Sequence, residues 1–315
     1  MFTKIYEKFK KEIQENYLFY TFIFVLVATL TYKLPYYIDV SGGIIDINKK
    51  VIVENDNSIN GSYNICYVEQ LQATLLTYAY SFLNKDWDVI KQEDYAYTAK
   101  ETSKDIDKRD KIYLDSSNQN AILTAFKYAN KEYKIISSNQ IVISVLDEAN
   151  TDIIIGDEIL EVEGIKISTS KEPTSFISSK KSGDIVNFKV INNNKIYERK
   201  AKLYADNGST YIGIILENSN VIETNPKVNF NFSKYESGSS GGLMLALAIY
   251  DYIVDDDIAK GLKIAGTGVI DENGNVESIG GVKYKLKGAE KKKADIFFVP
   301  AGENYEEAIK YDKRT

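Results

Sequence analysis

The stretch YESGSSGGLMLALAIYDYI, residues 235–253, joins a run of glycine and serine to an apolar segment. Residues 236–242 have the composition of a flexible loop or a sharp turn, and the rest has the apolar content of a buried helix. A serine at the start of such a helix lies beside unpaired backbone amides and the positive end of the helix dipole. The stretch therefore predicts either a plain loop or a nucleophile at Ser240. Three neighbours are candidates for contacts with an oxyanion and the substrate backbone: Gly238, Ser239 and Gly241.

Composition restricts the chemistry that is open to this serine. The chain has 315 residues, no histidine, one cysteine and a net charge of -6. Without histidine, Ser-His-Asp and Cys-His catalysis and imidazole-containing metal sites are excluded. A single cysteine cannot form an intrachain disulfide, and no basic block resembles a nucleic-acid-binding surface. We therefore expect a hydroxyl nucleophile with Lys, Asp, Glu or Tyr as its base, and no metal, cofactor or nucleic acid.

A second glycine-containing stretch, NVESIGGVKYKLKGAEKKK at residues 275–293, offers a base. Gly280-Gly281 precede a predicted helix, and Lys283 and Lys285 fall in its first turn. The helix dipole and packing against apolar neighbours both lower the pKa of a lysine at that position. A useful base near pH 7 requires a pKa that is lower by ~3, worth ~4 kcal/mol, which burial can supply. Ser-Lys pairs are a known form of nucleophilic catalysis, although KYKLK alone is typical of a solvated helix face.

Together the two stretches resemble the proteolytic domain of Lon-type proteases. The G-P-S-A-G motif of that family corresponds to residues 238–242, its T-G pair to Thr267-Gly268, and its I-G-G-x-x-x-K motif to residues 279–285. The resemblance implies Ser240 as the nucleophile, Lys285 as its base, and Thr267 as a residue whose hydroxyl helps to hold the lysine. Ser and Gly replace the Pro and the Ala of the first motif, and this change can loosen the turn and reduce activity.

Residues 135–205 form a separate predicted unit that is rich in strands and turns. The segment IGDEILEVEG, residues 155–164, and the later GDIV, residues 183–186, resemble the PDZ domains of bacterial proteases. That family binds extended peptides by adding a strand to a sheet edge. The resemblance implies peptide C-termini or segments as partners, with an acceptor edge near residues 140–146. Four residues are candidates for the peptide contact: Asn139, Gln140, Ile141 and Val142.

An uncharged segment near the N-terminus predicts a membrane anchor. Residues 1–15 carry four lysines, and residues 16–34 are uncharged except for Lys33, which can extend outward to the interface. The segment is long enough to span a bilayer, with Pro35 expected to close the helix. A cleaved signal peptide or a buried core helix are the alternatives, but the flank TYKLPYY lacks the small residues of a cleavage site. The lysines place the N-terminus in the cytoplasm and the rest outside the bacterial cytoplasmic membrane.

The order of these parts resembles the membrane-anchored, PDZ-containing, Lon-like serine proteases of bacteria. We therefore expect an α/β (α+β) chain with five parts. They are a cytoplasmic basic head (1–15), a transmembrane helix (16–34), an N-terminal part of the ectodomain packing with the protease domain (35–134), a PDZ-like β-rich domain (135–205) and a Lon-type protease domain (206–315). Within the third part, residues 86–111 are expected to be a charged surface segment. Residues 116–133 are expected to be a helix capped by Ser117 or Asn118.

The predicted function is that of an ATP-independent serine endopeptidase acting on unfolded, flexible or presented proteins, because the sequence contains no G-x-x-x-x-G-K-[ST] motif. The alternative is a catalytically degenerate, PDZ-type peptide-binding or regulatory membrane protein, which the two departures at Ser239 and Gly241 favour. A structural membrane protein is a third hypothesis. The resemblance also permits a homo-oligomer. Because the family usually continues further than Thr315, we expect a final strand or helix to be missing.

Overall fold

A computed structural model of the chain describes residues 2–54, 59–167 and 176–312. Residues 168–175 of the predicted PDZ-like domain and the chain end at Thr315 lie outside the described residues. The chain splits into two compact units, a smaller one of Met1–Val40 and Glu69–Asp94 and a larger one of Ser41–Val68 and Tyr95–Thr315. The helices are α1 (Phe2–Glu15), α2 (Tyr17–Thr31), α3 (Leu75–Ser81), α4 (Ser103–Tyr128), α5 (Gly242–Ile253), α6 (Val282–Lys291) and α7 (Glu303–Tyr311).

The strands belong to several small sheets and one large one. They are β1 (Lys33–Asp46), β2 (Val51–Val53), β3 (Ser62–Thr74), β4 (Asp88–Lys91), β5 (Tyr133–Val145), β6 (Asn150–Thr151), β7 (Glu158–Val162), β8 (Ile165–Lys166), β9 (Ile185–Asn192), β10 (Lys195–Lys202), β11 (Tyr204–Asp206), β12 (Ser209–Tyr211), β13 (Ile214–Thr224), β14 (Val228–Phe230), β15 (Lys263–Gly266), β16 (Val269–Ile270), β17 (Val276–Glu277) and β18 (Ile296–Phe298). Strands β1 and β3 contain residues of both compact units.

The smaller unit contains α1, α2, α3 and β4, and β4 pairs antiparallel with β1, with Tyr36 opposite Lys91. The predicted membrane helix over residues 16–34 is wrong at its end, because α2 stops at Thr31 and β1 begins at Lys33. Pro35 therefore lies within a strand and does not close the helix. The physical reason is that a residue before proline, here Leu34, is pushed toward extended backbone.

Helix α2 is exposed and uncharged, but it is short for a membrane span. No residue of α2 is buried, and none of its fifteen side chains is charged. By length and composition, no single helix within the described residues is able to cross a membrane. Ile5–Glu15 and Tyr17–Thr31 pass the same test only as a pair, and the two are bent by 81°.

In the larger unit, α5 forms the centre of the main hydrophobic core. Met244, Leu245 and Ile249 on α5 are fully buried and belong to one cluster with Ala121 and Phe126 on α4. Burying each large apolar side chain contributes about 1.5–3 kcal/mol. Strand β15 pairs in parallel with β3 on one side and with β18 on the other. The chain following β15 is thereby fixed next to the start of α5, where Gly268 accepts a backbone hydrogen bond from Leu243.

Helix α4 is longer than the sequence predicts. It begins at Ser103, where Thr102 and Asp105 form a reciprocal capping box, so Ser117 and Asn118 lie in its interior and are not caps. Residues 86–111 are also not a solvated segment throughout, because they include β4 and the first turns of α4. Arg109 is buried, where it pairs with the carboxylate of Glu101 and donates to the carbonyl oxygen of Tyr95 at 2.6 Å. Burial of this charge is tolerated because both partners satisfy it.

The large antiparallel sheet has the strand order β13-β5-β7-β9-β10-β6, with β8 paired to β7. Its buried face alternates along the strands, as in Val186, Phe188 and Val190 of β9. The sheet extends past residue 205, because β13 pairs with β5 from Ile214 opposite Val145 to Thr224 opposite Tyr133.

The predicted peptide-accepting edge is not open at Gln140 and Ile141. Strand β5 pairs with β13 on one side and with β7 on the other, so Gln140 has Asn218 and Ile159 as its two cross-strand neighbours. An alternating pattern shows that a segment is a strand, but it does not show which strands lie beside it. The later segment 214–224 supplies the neighbour that the sequence pattern does not indicate.

Candidate active site

The glycine-serine run is a packed turn at the start of α5. Gly241 and Gly242 are buried and Ser240 is half-buried. A Cβ atom on Gly242 would lie 2.6 Å from Ser117 Oγ on α4 and 2.9 Å from a methyl carbon of Ile270. Glycine is therefore required where α4 and α5 approach each other. The interpretation of this run as a flexible loop does not fit this packing.

Lys285, on the first turns of α6, reaches this serine. Its Nζ lies 3.0 Å from Ser240 Oγ, which is hydrogen-bonding distance. The lysine side chain is buried, with 4% of its surface exposed. The neighbouring Lys283 makes a cation–π contact with the ring of Tyr284 instead. Of the two lysines, the structure brings Lys285 to Ser240.

Burial lowers the pKa of Lys285 from its ordinary value to about 8. The cause is the loss of hydration of the charged ammonium, and the nearby Cys66 would act in the opposite direction only as a thiolate. Burial also raises the pKa of the Cys66 thiol to about 12, so Cys66 stays protonated and neutral. No thiolate therefore offsets the desolvation of Lys285, and part of the lysine population is neutral near neutral pH.

Thr267 supports the serine and not the lysine. Its buried hydroxyl donates to the carbonyl oxygen of Ser240 at 3.0 Å, and the amide of Gly268 donates to the same oxygen at 2.8 Å. The family resemblance implies that this hydroxyl holds Lys285, whereas its observed hydrogen bond is to the backbone of Ser240. The reason is that β15 ends alongside the turn at residues 238–242, so the backbone of Ser240 is the polar group within reach.

Some backbone amides of residues 238–242 already donate to protein acceptors, and others are free to bind an oxyanion. The amide of Gly238 donates to the carbonyl oxygen of Asp110 on α4 at 2.8 Å, so it is not available to an oxyanion. The carbonyl oxygen of Ser239 accepts bonds from Gly242 N at 3.1 Å and from Ser117 Oγ at 2.9 Å. Within residues 2–54, 59–167 and 176–312, the amides of Ser240 and Gly241 have no protein acceptor. Gly241 thus remains a candidate oxyanion donor, and Ser240 itself becomes one.

Two further contacts hold the turn that leads into α6. The side chain of Asn304 donates to Ile279 O at 2.9 Å and accepts from Ile279 N at 2.8 Å. Gly281 has a φ of 71°, in the left-handed region that favours glycine, and a Cβ there would lie 2.7 Å from Val68. These contacts determine where α6 begins and so where Lys285 lies along it.

The four candidate peptide-binding residues lie elsewhere, within the large sheet. Gln140 and Val142 are buried, Asn139 donates to Glu158 at 2.7 Å, and Gln140 donates to Asn218 at 2.9 Å. Ile141 is paired on both sides. None of them forms part of the cluster around Ser240. Across the part of the chain that the structure describes, no group of three or more His, Cys, Asp or Glu side chains is placed to hold a metal ion.

Comparison with known proteins adds a family match for the part of the chain that contains this cluster. Residues 233–311 match the model of the Lon protease (S16) C-terminal proteolytic domain. The matched segment contains Ser240, Thr267 and Lys285, and the match supports a Lon-like serine peptidase.

Among solved structures, the chain is similar to PDZ domains of SdrC-like proteins from two Listeria species. The Listeria monocytogenes domain is 32% identical, with 26% of this chain and 92% of that chain covered and a TM-score of 0.24. The Listeria innocua domain is 35% identical, with 25% of this chain and 92% of that chain covered and a TM-score of 0.24. A search of curated proteins found no significant match.

Proposed function

We propose that this chain is a serine endopeptidase that uses Ser240 as its nucleophile and Lys285 as its general base. The observation that carries the proposal is the 3.0 Å approach of a buried lysine with a lowered pKa to a half-buried serine hydroxyl. A lysine with a pKa of about 8 is neutral in about a tenth of molecules at pH 7, a few hundred-fold more than an exposed lysine. Together with the family match of the same segment, this favours catalysis over a degenerate, peptide-binding role.

The geometry supports a conventional acyl-enzyme sequence. Neutral Lys285 takes the proton of Ser240 while Oγ bonds to the carbonyl carbon of the substrate. The amides of Ser240 and Gly241 stabilise the resulting oxyanion. The carbon–nitrogen bond then breaks, and the Lys285 ammonium returns the proton to the leaving amine. Water repeats the sequence on the ester, with Lys285 again taking and returning a proton, and releases the acid product and free Ser240.

Unfolded, flexible or presented proteins are the proposed substrates, and cleavage is proposed to be independent of ATP. The support is that the sequence contains no P-loop motif, which an ATP-driven unfolding motor requires. This part of the proposal does not depend on peptide capture at Gln140 and Ile141, where β13 and β7 pair with both sides of β5.

A serine-reactive fluorophosphonate tests the nucleophile without knowledge of the natural substrate. We expect the full-length chain in detergent to be labelled at Ser240, as located by peptide mass spectrometry. The labelling rate should rise with pH through about 8 and then level off, because the neutral form of Lys285 accumulates over that range. Labelling confined to Ser239, or a rate that does not change between pH 6 and 9, would contradict the proposed dyad.

Attachment to a membrane is proposed to use both N-terminal helices, with the N-terminus in the cytoplasm and the remainder of the chain outside the bacterial cytoplasmic membrane. Helix α2 alone is about 22 Å long at ~1.5 Å per residue, shorter than a hydrocarbon core of ~30 Å. Helix α1 exposes Ile5, Phe9 and Ile13, which recur every fourth residue and so share one face. This amphipathic pattern and the 81° bend suit a surface helix that precedes an inserted one.

A charge placed in α2 is expected to release the protein from lipid. Val25→Lys introduces a cost of ~3 kcal/mol at the centre of an inserted helix, so the full-length variant should float with vesicles at least ten-fold less than the parent. Ile196→Lys, at an exposed position on β10, is the matched control and should float normally. Equal flotation of all three proteins, or no flotation of the parent, would contradict membrane attachment.

A further inference from the structure

The carbonyl groups on either side of the Ser240 amide unit are both fixed by hydrogen bonds. Ser239 O accepts from Ser117 Oγ at 2.9 Å and from Gly242 N at 3.1 Å. Ser240 O accepts from Thr267 Oγ at 3.0 Å and from Gly268 N at 2.8 Å. In a planar trans peptide, the C=O and the following N–H point in opposite directions. A bond that fixes the Ser239 carbonyl therefore also fixes the direction of the Ser240 N–H.

Ser117 is an unusual residue for its position. It lies in the interior of α4 and is 3% exposed. A buried serine within a helix commonly bonds back to a carbonyl of its own helix, whereas this hydroxyl reaches across to Ser239. Burying a hydroxyl costs free energy unless it is hydrogen-bonded, and an alanine would pack at the same site without that cost. The bond to Ser239 is therefore the property that distinguishes serine from alanine here.

The same helix holds the turn at two further points. Asp110 O accepts from the amide of Gly238 at 2.8 Å, and Lys111 Nζ donates to backbone carbonyl oxygens of Ser233, at 3.3 Å, and of Glu236. These bonds involve residues before the Ser239–Ser240 peptide group. Of the α4 side chains with described bonds, Ser117 is the one that acts on that group directly.

We propose that Ser117 is a positioning residue that orients the Ser240 N–H toward the oxyanion formed during peptide-bond cleavage. The inference rests on the proposed endopeptidase function and adds to it a residue outside the segment that matches the protease family. Ser117 contacts neither the reacting hydroxyl nor Lys285 in this role. It acts through the Ser239 carbonyl, so that the N–H dipole is already aligned before the charge develops, as efficient oxyanion stabilisation requires.

The neighbouring residue provides a matched control. Ser116 is also buried, and its hydroxyl donates to Glu217 Oε1 on β13 at 2.6 Å, away from the nucleophile turn. Ser116→Ala and Ser117→Ala remove one hydroxyl each from consecutive positions of α4. Only Ser117→Ala removes a hydrogen bond from the Ser239–Ser240 peptide group, which then keeps the bond from Gly242 N alone.

The experiment compares the full-length parent, Ser117→Ala, Ser117→Cys and Ser116→Ala on an unfolded casein-type substrate. Loss of a whole oxyanion donor lowers kcat by ~10²–10³-fold, so misorientation of one donor should lower kcat for Ser117→Ala by ~10–100-fold. KM should stay within about two-fold, and the pH midpoint should remain near 8, because Lys285 is untouched. A peptidyl boronate, whose tetrahedral adduct places an oxygen in the oxyanion position, should bind more weakly by the same factor as kcat/KM. Ser117→Cys, a weaker donor of similar size, should be intermediate.

The following results would contradict the proposed positioning role of Ser117. An unchanged kcat and boronate affinity in Ser117→Ala, with or without a lower Tm, would show that the hydroxyl is only structural. An equal loss in Ser116→Ala, or a shifted pH midpoint, would show a general disturbance of the site. If Ser117→Ala does not fold, full activity of Ser117→Cys would likewise show that the hydroxyl is only structural. A parent that neither cleaves casein nor binds the boronate would overturn the proposed function itself, whereas an active parent with an equally active Ser117→Ala overturns only this role.

Discussion

Lys285→Ala should nearly abolish peptide-bond cleavage, lowering kcat by ~10²–10⁴-fold at pH 7 while the protein still binds substrate. Without the lysine, the Ser240 hydroxyl has no base within hydrogen-bonding distance among the described residues, because the one described contact of its Oγ is the 3.0 Å approach of Lys285 Nζ. General-base catalysis contributes ~10²–10⁴-fold. Ser240→Ala should give the same loss, and the double variant should be no worse, because the two residues act as a unit.

Two neighbouring residues make the test selective. Lys283→Ala removes a lysine from the same helix turn, and Ser239→Ala removes a hydroxyl from the same glycine-serine turn. Neither side chain is placed by the structure against the Ser240–Lys285 pair, so both variants should keep kcat within about three-fold. Casein cleavage by purified full-length proteins measures all five. Residual activity above a tenth of the parent in Lys285→Ala, or an inactive Lys283→Ala, would show that the base has been assigned to the wrong residue.

Lys285→Met should make the protein more stable at pH 7 even though it destroys the proposed activity. Burial lowers the pKa of Lys285 from 10.5 to about 8, and a pKa difference of one corresponds to ~1.4 kcal/mol. The charged lysine therefore destabilises the folded state by about 3 kcal/mol at pH 7, a cost that a methionine of similar volume avoids. The free energy of unfolding by urea, measured on both full-length proteins, provides the comparison.

The pH dependence gives this second prediction a sharper form. Between pH 8 and 10.5 the unfolded chain holds a proton on Lys285 that the folded protein has lost. Stability of the parent relative to Lys285→Met should therefore rise with pH across this window and stay constant below it. Lys283→Met, a substitution in the same helix turn, serves as the control. A parent that is as stable as Lys285→Met at pH 7 would show that the lysine is neither buried nor desolvated in solution.

The chemistry around Ser240 was accessible to sequence reasoning because its residues lie in two short stretches with glycines at recognisable positions. The contacts of Ser117 and Asp110 with the turn were not accessible, since each reaches it from more than 120 residues away and neither carries a local signal. Thr267 was found by resemblance, but only the packing of β15 showed that its bond goes to the backbone of Ser240.

Two errors in the predicted elements have local causes that were present in the sequence. Thr102 and Asp105 stand at the spacing of a capping box, and this signal marks the start of α4 within a segment whose charge suggests solvent. Leu34 precedes Pro35, which favours a strand over a continued helix. The error at β5 is of another kind, because the identity of the neighbouring strand depends on a segment some 75 residues later in the chain.

The burial of Cys66 has a consequence for how the site tolerates its chemical surroundings. A thiol reacts with alkylating agents, peroxide or another disulfide through its thiolate form. With a pKa raised to about 12 and no exposed surface, Cys66 offers almost no thiolate at neutral pH. The sulfur atom of Cys66 therefore lies near Lys285 without being a target of oxidation or alkylation.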